Sequence, residues 1–240
     1  MLSKISDSLL AVVYPQACQL CENSVENSSD GVACRKCWQK TRIFSGAETL
    51  CHKCGAFLQE KPGDFETFCH RCDEHFYDSA RAVGIYEHAL STSILYLKNE
   101  PFVSKHLQNL FVSAFENSSF QDADLIIPVP LSKKRFLERG FNQASVLAAH
   151  LARHTKINQD ELSLIRTIHV PMHRAAMDRK ARELTVKNAF EVKRPRMIEG
   201  KTILLVDDVF TTGATVSNCA GILRKKGAKR VYILTIARAI

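Results

Sequence analysis

Two adjacent carboxylates, Asp207 and Asp208, follow four apolar residues (Ile203, Leu204, Leu205, Val206) and precede Thr211, Thr212, Gly213, Ala214 and Thr215. An apolar run without alternation reads as a strand buried on both faces, as in a parallel sheet. Ligands of such sheets sit beyond the carboxyl ends of the strands, where this loop falls. A helical pattern begins at Thr215, and a helix N-terminus offers unpaired N–H groups and a positive dipole end to a phosphate. Gly213 can take a positive φ that lets backbone amides close around the anion, with the threonine hydroxyls as further donors. Carboxylates suit sugar hydroxyls better than phosphate. A phosphate cradle beside two hydroxyl acceptors describes a ribose 5-phosphate; strand-end solvation with helix capping is the plainer alternative.

The thirteen residues from Ile203 to Thr215 resemble the 5-phosphoribosyl 1-pyrophosphate (PRPP) signature of type I phosphoribosyltransferases. The resemblance implies that Asp207, Asp208, Thr211, Thr212, Gly213, Ala214 and Thr215 bind PRPP.

Residues 18 to 72 hold eight of the nine cysteines as four CxxC pairs: Cys18 and Cys21, Cys34 and Cys37, Cys51 and Cys54, Cys69 and Cys72. Intervals of twelve to fourteen residues between pairs read as a doubled unit. Two knuckles about a dozen residues apart supply four soft thiolates for a closed tetrahedral site, so two structural zinc ions are expected. Disulfides and redox chemistry are the rivals. A chain with a nucleotide-type site and no export signal belongs in a reducing compartment, which favours metal. Using the pairs in sequence closes shorter loops than a cross-braced arrangement, which stays open. His52, His70 and His75 read as loop residues and Trp38 as a cover for the first site.

At 240 residues, with 45% hydrophobic and 24% charged, the chain reads as a soluble protein of one sizeable and one small domain. No apolar run approaches the roughly 18 residues needed to cross a bilayer, so no membrane insertion is expected. The opening stretch MLSKISDSLLAVVYPQAC reads as a short amphipathic helix and not as an export signal, which places the protein in the cytoplasm. Eight thiolates and two zinc ions would lower the formal charge of +8 to about +4.

The elements that must position these groups follow from the pattern. The expected division is a double zinc-ribbon domain over 1–78 and a phosphoribosyltransferase-like domain with a parallel α/β sheet over 79–240. Strands are expected at 81–88, 124–130, 162–167, 190–193, 201–207 and 230–237, and helices at 89–97, 102–115, 142–154 and 215–226. Lys98 either ends a helix or reaches a ligand. The cation-rich stretch with Lys133, Lys134, Arg135 and Arg139 reads as a loop at a strand end, suited to a leaving pyrophosphate and its Mg²⁺. Residues 171–188 read equally as a mobile flap or an exposed helix, presenting Arg174, Arg179, Lys180 and Arg182. Cys219 reads as core packing.

Four CxxC pairs, LK (97–98), PVPL with RGFNQA (128–144), LIRT (164–167) and VDDVFTTGAT together are similar to the ComF/GntX family. That resemblance implies a role in natural competence, in bringing transforming single-stranded DNA into the cytoplasm with other competence proteins. It carries over Arg139, Asn142, Gln143, Arg182, Asn188 and Phe190. Where the pattern usually has glutamine after LIRT, this chain has His173. As a glycosyltransferase, the protein would displace pyrophosphate from Mg²⁺-bound PRPP through an oxocarbenium-like transition state. Asp207 and Asp208 would hold the ribose, and Arg139 and Arg182 would stabilise the leaving group. The rivals are a single-strand DNA-handling factor and a PRPP sensor without turnover.

Overall fold

A computed structural model describes residues 16–58, 67–69, 72, 75–167 and 189–240. The strands are β1 (Ser79–Ile85), β2 (Leu125–Pro128), β3 (Asn158–Gln159), β4 (Leu164–Arg166), β5 (Phe190–Val192), β6 (Thr202–Phe210) and β7 (Arg230–Arg238). The helices are α1 (Arg35–Gln39), α2 (His88–Leu97), α3 (Lys105–Glu116), α4 (Lys133–Arg139), α5 (Gln143–Thr155) and α6 (Ala214–Lys225). Five strands form a parallel sheet in the order β1-β7-β6-β2-β3.

The central strand β6 is buried on both faces, as its unbroken apolar run dictates. Leu204 and Val206 join one core with residues of α2, α3 and α5, including Leu90, Phe111 and Leu147. Ile203 and Leu205 join a second core with Val216, Cys219 and Leu223 of α6 and Phe190 of β5. Each core also takes in one set of cysteines: Cys18, Cys34 and Cys37 on the first face, Cys51, Cys54 and Cys72 on the second.

The front segment also closes a sheet edge. β1 is an edge strand, and Arg42–Phe44 run along it, with Phe44 N–H on Val83 O at 2.9 Å and Ile85 N–H on Arg42 O at 3.0 Å. That covers backbone groups which would otherwise template a foreign strand. Any side chain at position 84 would collide with the carbonyl of Arg42, so the close approach requires Gly84. Arg42 then clasps Glu87 through Nε at 2.8 Å and Nη2 at 2.7 Å, which lowers the Glu87 carboxyl to about 2.

Three expectations need correction, and one strand lies where none was expected. The cationic stretch is helix α4: Ser132 caps it by accepting the Arg135 N–H at 3.4 Å, and Gly140 closes it at φ 79°. The strands near 164 and 190 pair antiparallel with each other in a sheet of their own. The strand carrying the carboxylates runs on to Phe210, because β7 continues to pair with it through Arg238. Finally, β3 extends the main sheet by two residues that carry no pattern of their own. The N-terminal segment 1–15 and the expected flap at 171–188 lie outside the described residues. Among the described residues, no helix is long and apolar enough to cross a membrane.

Candidate functional site

Side chains alternate along β6, so Asp207 and Asp208 serve different neighbours. Asp208, 8% exposed, lies on the side of Leu204 and Val206. Its Oδ2 meets Lys98 Nζ and Gln143 Nε2, each at 3.4 Å, while its Oδ1 accepts the Val209 N–H at 2.8 Å. Lys98 is the residue that ends α2, and Gln143 is the first of α5. Gln143 Oε1 in turn accepts from Arg139 Nη1, at the end of α4, at 2.8 Å. Lys98 of α2 and Gln143 of α5 thus meet one carboxylate of β6, and Arg139 of α4 is linked to it through Gln143. Asn142 fixes the start of α5, accepting the Ala144 N–H at 3.1 Å and donating to Val129 O at 3.1 Å.

Asp207 is half-buried and accepts the Asp208 N–H at 2.9 Å. Burial, and then the charge of Asp208, push its carboxyl well above the usual range; the Lys98 charge acts the other way. Its charge also bears on Cys219, whose thiol is pushed up first by burial and second by Asp207. Arg166, 5.3 Å over the Phe190 ring, lies within the same field. Two neighbouring acids in unlike environments can divide their work, one lying beside a cation and the other favoured by burial in its protonated form.

Beyond Phe210 the chain turns through Thr211 and Thr212, both exposed, to Gly213 at φ 78°, the N-cap of α6. A Cβ at Gly213 would lie 2.6 Å from the Phe210 ring and 3.3 Å from the His75 ring, so both conformation and space demand glycine. Thr212 Oγ1 accepts the Ala214 N–H at 3.3 Å, and the helical ladder starts with Ser217 N–H on Gly213 O at 2.8 Å. Thr215 is exposed in the first turn. This helix mouth has the polarity for an anion. A cleft of about 1200 Å³ opens beside it, lined among others by Phe57, Phe68, His75, Phe210, Thr211 and Arg238.

The eight ribbon cysteines form two tetrads, Cys18-Cys21-Cys34-Cys37 and Cys51-Cys54-Cys69-Cys72, with the sulfurs of each within 4.8 Å of one another. The pairs are therefore used in sequence. Their donor chemistry fits zinc: four thiols per set at tetrahedral spacing, with amide donors aimed at sulfur. Cys34 N–H points at Cys18 Sγ and Cys69 N–H at Cys51 Sγ, both at 3.3 Å. Burial opposes ionisation of Cys18 and Cys51, yet such amides lower them to about 6 and about 7. Trp38 lies against the first set, buried, with Nε1 donating to Asp30 O at 3.0 Å.

Comparison with known proteins now bears on these parts. A double zinc ribbon domain profile matches residues 9–75, and a phosphoribosyl transferase domain profile matches residues 137–240. The DNA utilization protein YhgH of Escherichia coli (strain K12) is 30% identical over 239 residues, covering 95% of this chain and all of that one. The chain belongs to the ComF/GntX family. Competence protein F of Haemophilus influenzae (strain ATCC 51907 / DSM 11121 / KW20 / Rd), 29% identical over 231 residues, covers 92% of this ComF/GntX chain and 96% of its own. Among solved structures, the allosteric regulatory enzyme of purine biosynthesis is 24% identical over 55% of this chain and 26% of that one. Its TM-score of 0.39 is too low to argue from.

Within this ComF/GntX protein, then, the structure brings Asp207, Asp208, Arg139, Asn142, Gln143 and the loop 211–215 to the carboxyl end of the sheet. Lys134 instead pairs with Glu138 at the surface, at 3.9 Å. His173, Arg174, Arg179, Lys180, Arg182 and Asn188 lie outside the described residues. Sequence reasoning left Lys98 undecided, since a lysine ending a helix satisfies the dipole anyway. It passed over Phe210 and Arg238 and treated His75 as loop, and nothing local distinguishes them.

Proposed function

We propose that this protein binds PRPP with Mg²⁺ at the carboxyl end of β6 and serves natural competence, in the passage of transforming single-stranded DNA into the cytoplasm. The observation that carries the reading is the meeting of Lys98 and Gln143 at Asp208, with Arg139 held on Gln143, a few residues before a glycine-opened helix mouth. The mouth would take the 5-phosphate, Asp207 and Asp208 the ribose hydroxyls, and Arg139 the pyrophosphate. Mg²⁺ bound with the pyrophosphate would neutralise its oxygens. The two tetrads would hold structural zinc, and the proposed division of the chain is 1–78 and 79–240.

Calorimetry of PRPP with Mg²⁺ tests the reading. Replacing Asp207→Asn and Asp208→Asn together should weaken binding on the order of 100-fold, from loss of charge-assisted hydrogen bonds. Unchanged affinity with an intact fold would refute the site. The alternative, an active phosphoribosyltransferase without direct DNA contact, requires isotope exchange of pyrophosphate into PRPP. Direct contact with single strands has support of its own: a groove of about 360 Å³ between α3 and α5 lined by Lys105, His150, Arg153 and His154. Arg153 Nη2 donates to His150 Nδ1 at 2.8 Å and His154 faces Glu116 at 2.9 Å, so Lys105 and Arg153 are the cations this groove offers a phosphate. Phosphate contacts there predict an affinity for oligonucleotides that falls steeply with salt.

A further inference from the structure

We infer that the second cysteine tetrad positions the phosphate loop, so that metal occupancy there sets how firmly the loop holds a phosphate. The ligand in this inference rests on the PRPP reading, and the metal on the zinc that the tetrad fits; the mechanical link rests on contacts alone.

Both knuckles of the second tetrad reach the loop. Three residues beyond Cys72, His75 lies against Gly213, within 3.3 Å of where a Cβ would stand. Phe76 donates its N–H to Ser217 Oγ in α6 at 3.1 Å, and its ring lies 3.0 Å from the Cβ position of Gly221. Tyr77, fully buried, stacks on His75 at 5.0 Å and meets Phe210 edge-on at 6.0 Å. From the other knuckle, Lys53 Nζ donates to His75 O at 2.8 Å. Arg238 Nη1 donates to Cys54 O at 2.5 Å, and its guanidinium lies 4.6 Å over Phe210, the ring that fills the space against Gly213. The first tetrad's segment makes its contacts elsewhere: Trp38 with His106, Thr41 with Ala89 and Arg42 with Glu87.

A metal that pins Cys51–Cys54 to Cys69–Cys72 therefore pins the wedge of His75, Phe76 and Tyr77 under α6. Losing it releases the wedge, and the loop must then be ordered at the moment of binding, at an entropic cost. His75, Phe76 and Arg238 are positioning residues in this scheme.

Amide hydrogen exchange on the full chain tests it, comparing Cys69→Ser with Cys21→Ser, one ligand removed from each tetrad. In Cys69→Ser, residues 210–217 should exchange at least about tenfold faster while 203–206 stay protected. In Cys21→Ser they should stay within about twofold of the parent. Unchanged exchange in Cys69→Ser, or equal acceleration in both, overturns the inference. If Cys69→Ser also loses protection along β6, Phe76→Ala decides, since it keeps all eight cysteines. Faster loop exchange with two zinc ions retained supports the link, and unchanged exchange overturns it. Calorimetry with PRPP and Mg²⁺ should show about tenfold weaker binding in Cys69→Ser. A parent chain that binds no PRPP, yet shows the expected exchange pattern, would sink the proposed function and its ligand, and leave the link between the second tetrad and the loop standing.

Discussion

On one face of the sheet the first ribbon packs against the starts of α2 and α3, and Asp208 lies beneath Lys98 and Gln143. On the other face the second ribbon packs against the mouth of α6, and Asp207 lies near Cys219 and Arg166. Each face thus carries one cysteine tetrad and one carboxylate, but they are used differently. The first ribbon touches the scaffold at Ala89, Ser104 and His106. The second touches the loop itself. Two units alike in cysteine spacing make unlike contacts because of where the sheet puts them.

Withdrawing metal should have the largest effect on both faces. A strong chelator should remove about two zinc ions per chain and lower the melting temperature by more than about 10 °C, because metal binding is part of the folding free energy. Elemental analysis beside calorimetry checks this; a metal-free preparation that melts unchanged would erase the comparison. Next, Trp38→Ala strikes the first face alone. Emptying that buried site should cost about 3–5 kcal/mol, lowering the melting temperature by roughly 6–20 °C while PRPP affinity stays within about threefold. A large loss of affinity would show that the first ribbon also serves the site.

Lys98→Met should weaken PRPP binding about tenfold, since it leaves the buried Asp208 without its cation, and Lys98→Arg should recover most of that. Calorimetry on both variants would separate a charge role from simple packing. The smallest effect is expected from Asp207→Asn, and its sign is opposite. The raised carboxyl of Asp207 favours folding when protonated, and that contribution is lost as pH rises through its folded value. The asparagine variant should therefore melt about 2–4 °C higher near pH 8, with the gap closing as pH falls toward the ordinary value of 3.8. A variant less stable at every pH would contradict the environment assigned to Asp207.

Much of this was legible in the residues, and the failures have physical causes. In α4 the charges of Lys133, Lys134 and Arg135 hid a helix that Ser132 and Gly140 delimit by ordinary capping. β3 is two residues long, too short for any periodicity, and the pairing of β4 with β5 in a sheet of their own is a long-range choice that neither stretch records. The strand bearing the carboxylates outlasts its apolar run, since its length depends on the partner β7 as well as on its own composition.

The sequence by itself determined the four CxxC pairs, the doubly buried strand, the glycine-opened helix mouth and the family. All of these are written within a few dozen neighbouring residues, as ligand spacing, apolar period or turn chemistry. Only the tertiary structure decided that Lys98 and Gln143 meet Asp208, that the two carboxylates part company, and that the second ribbon abuts the loop at the start of α6. Those contacts join residues up to 141 positions apart, as Phe76 and Ser217 are. They follow from strand order and crossover direction, which no local stretch of chain records.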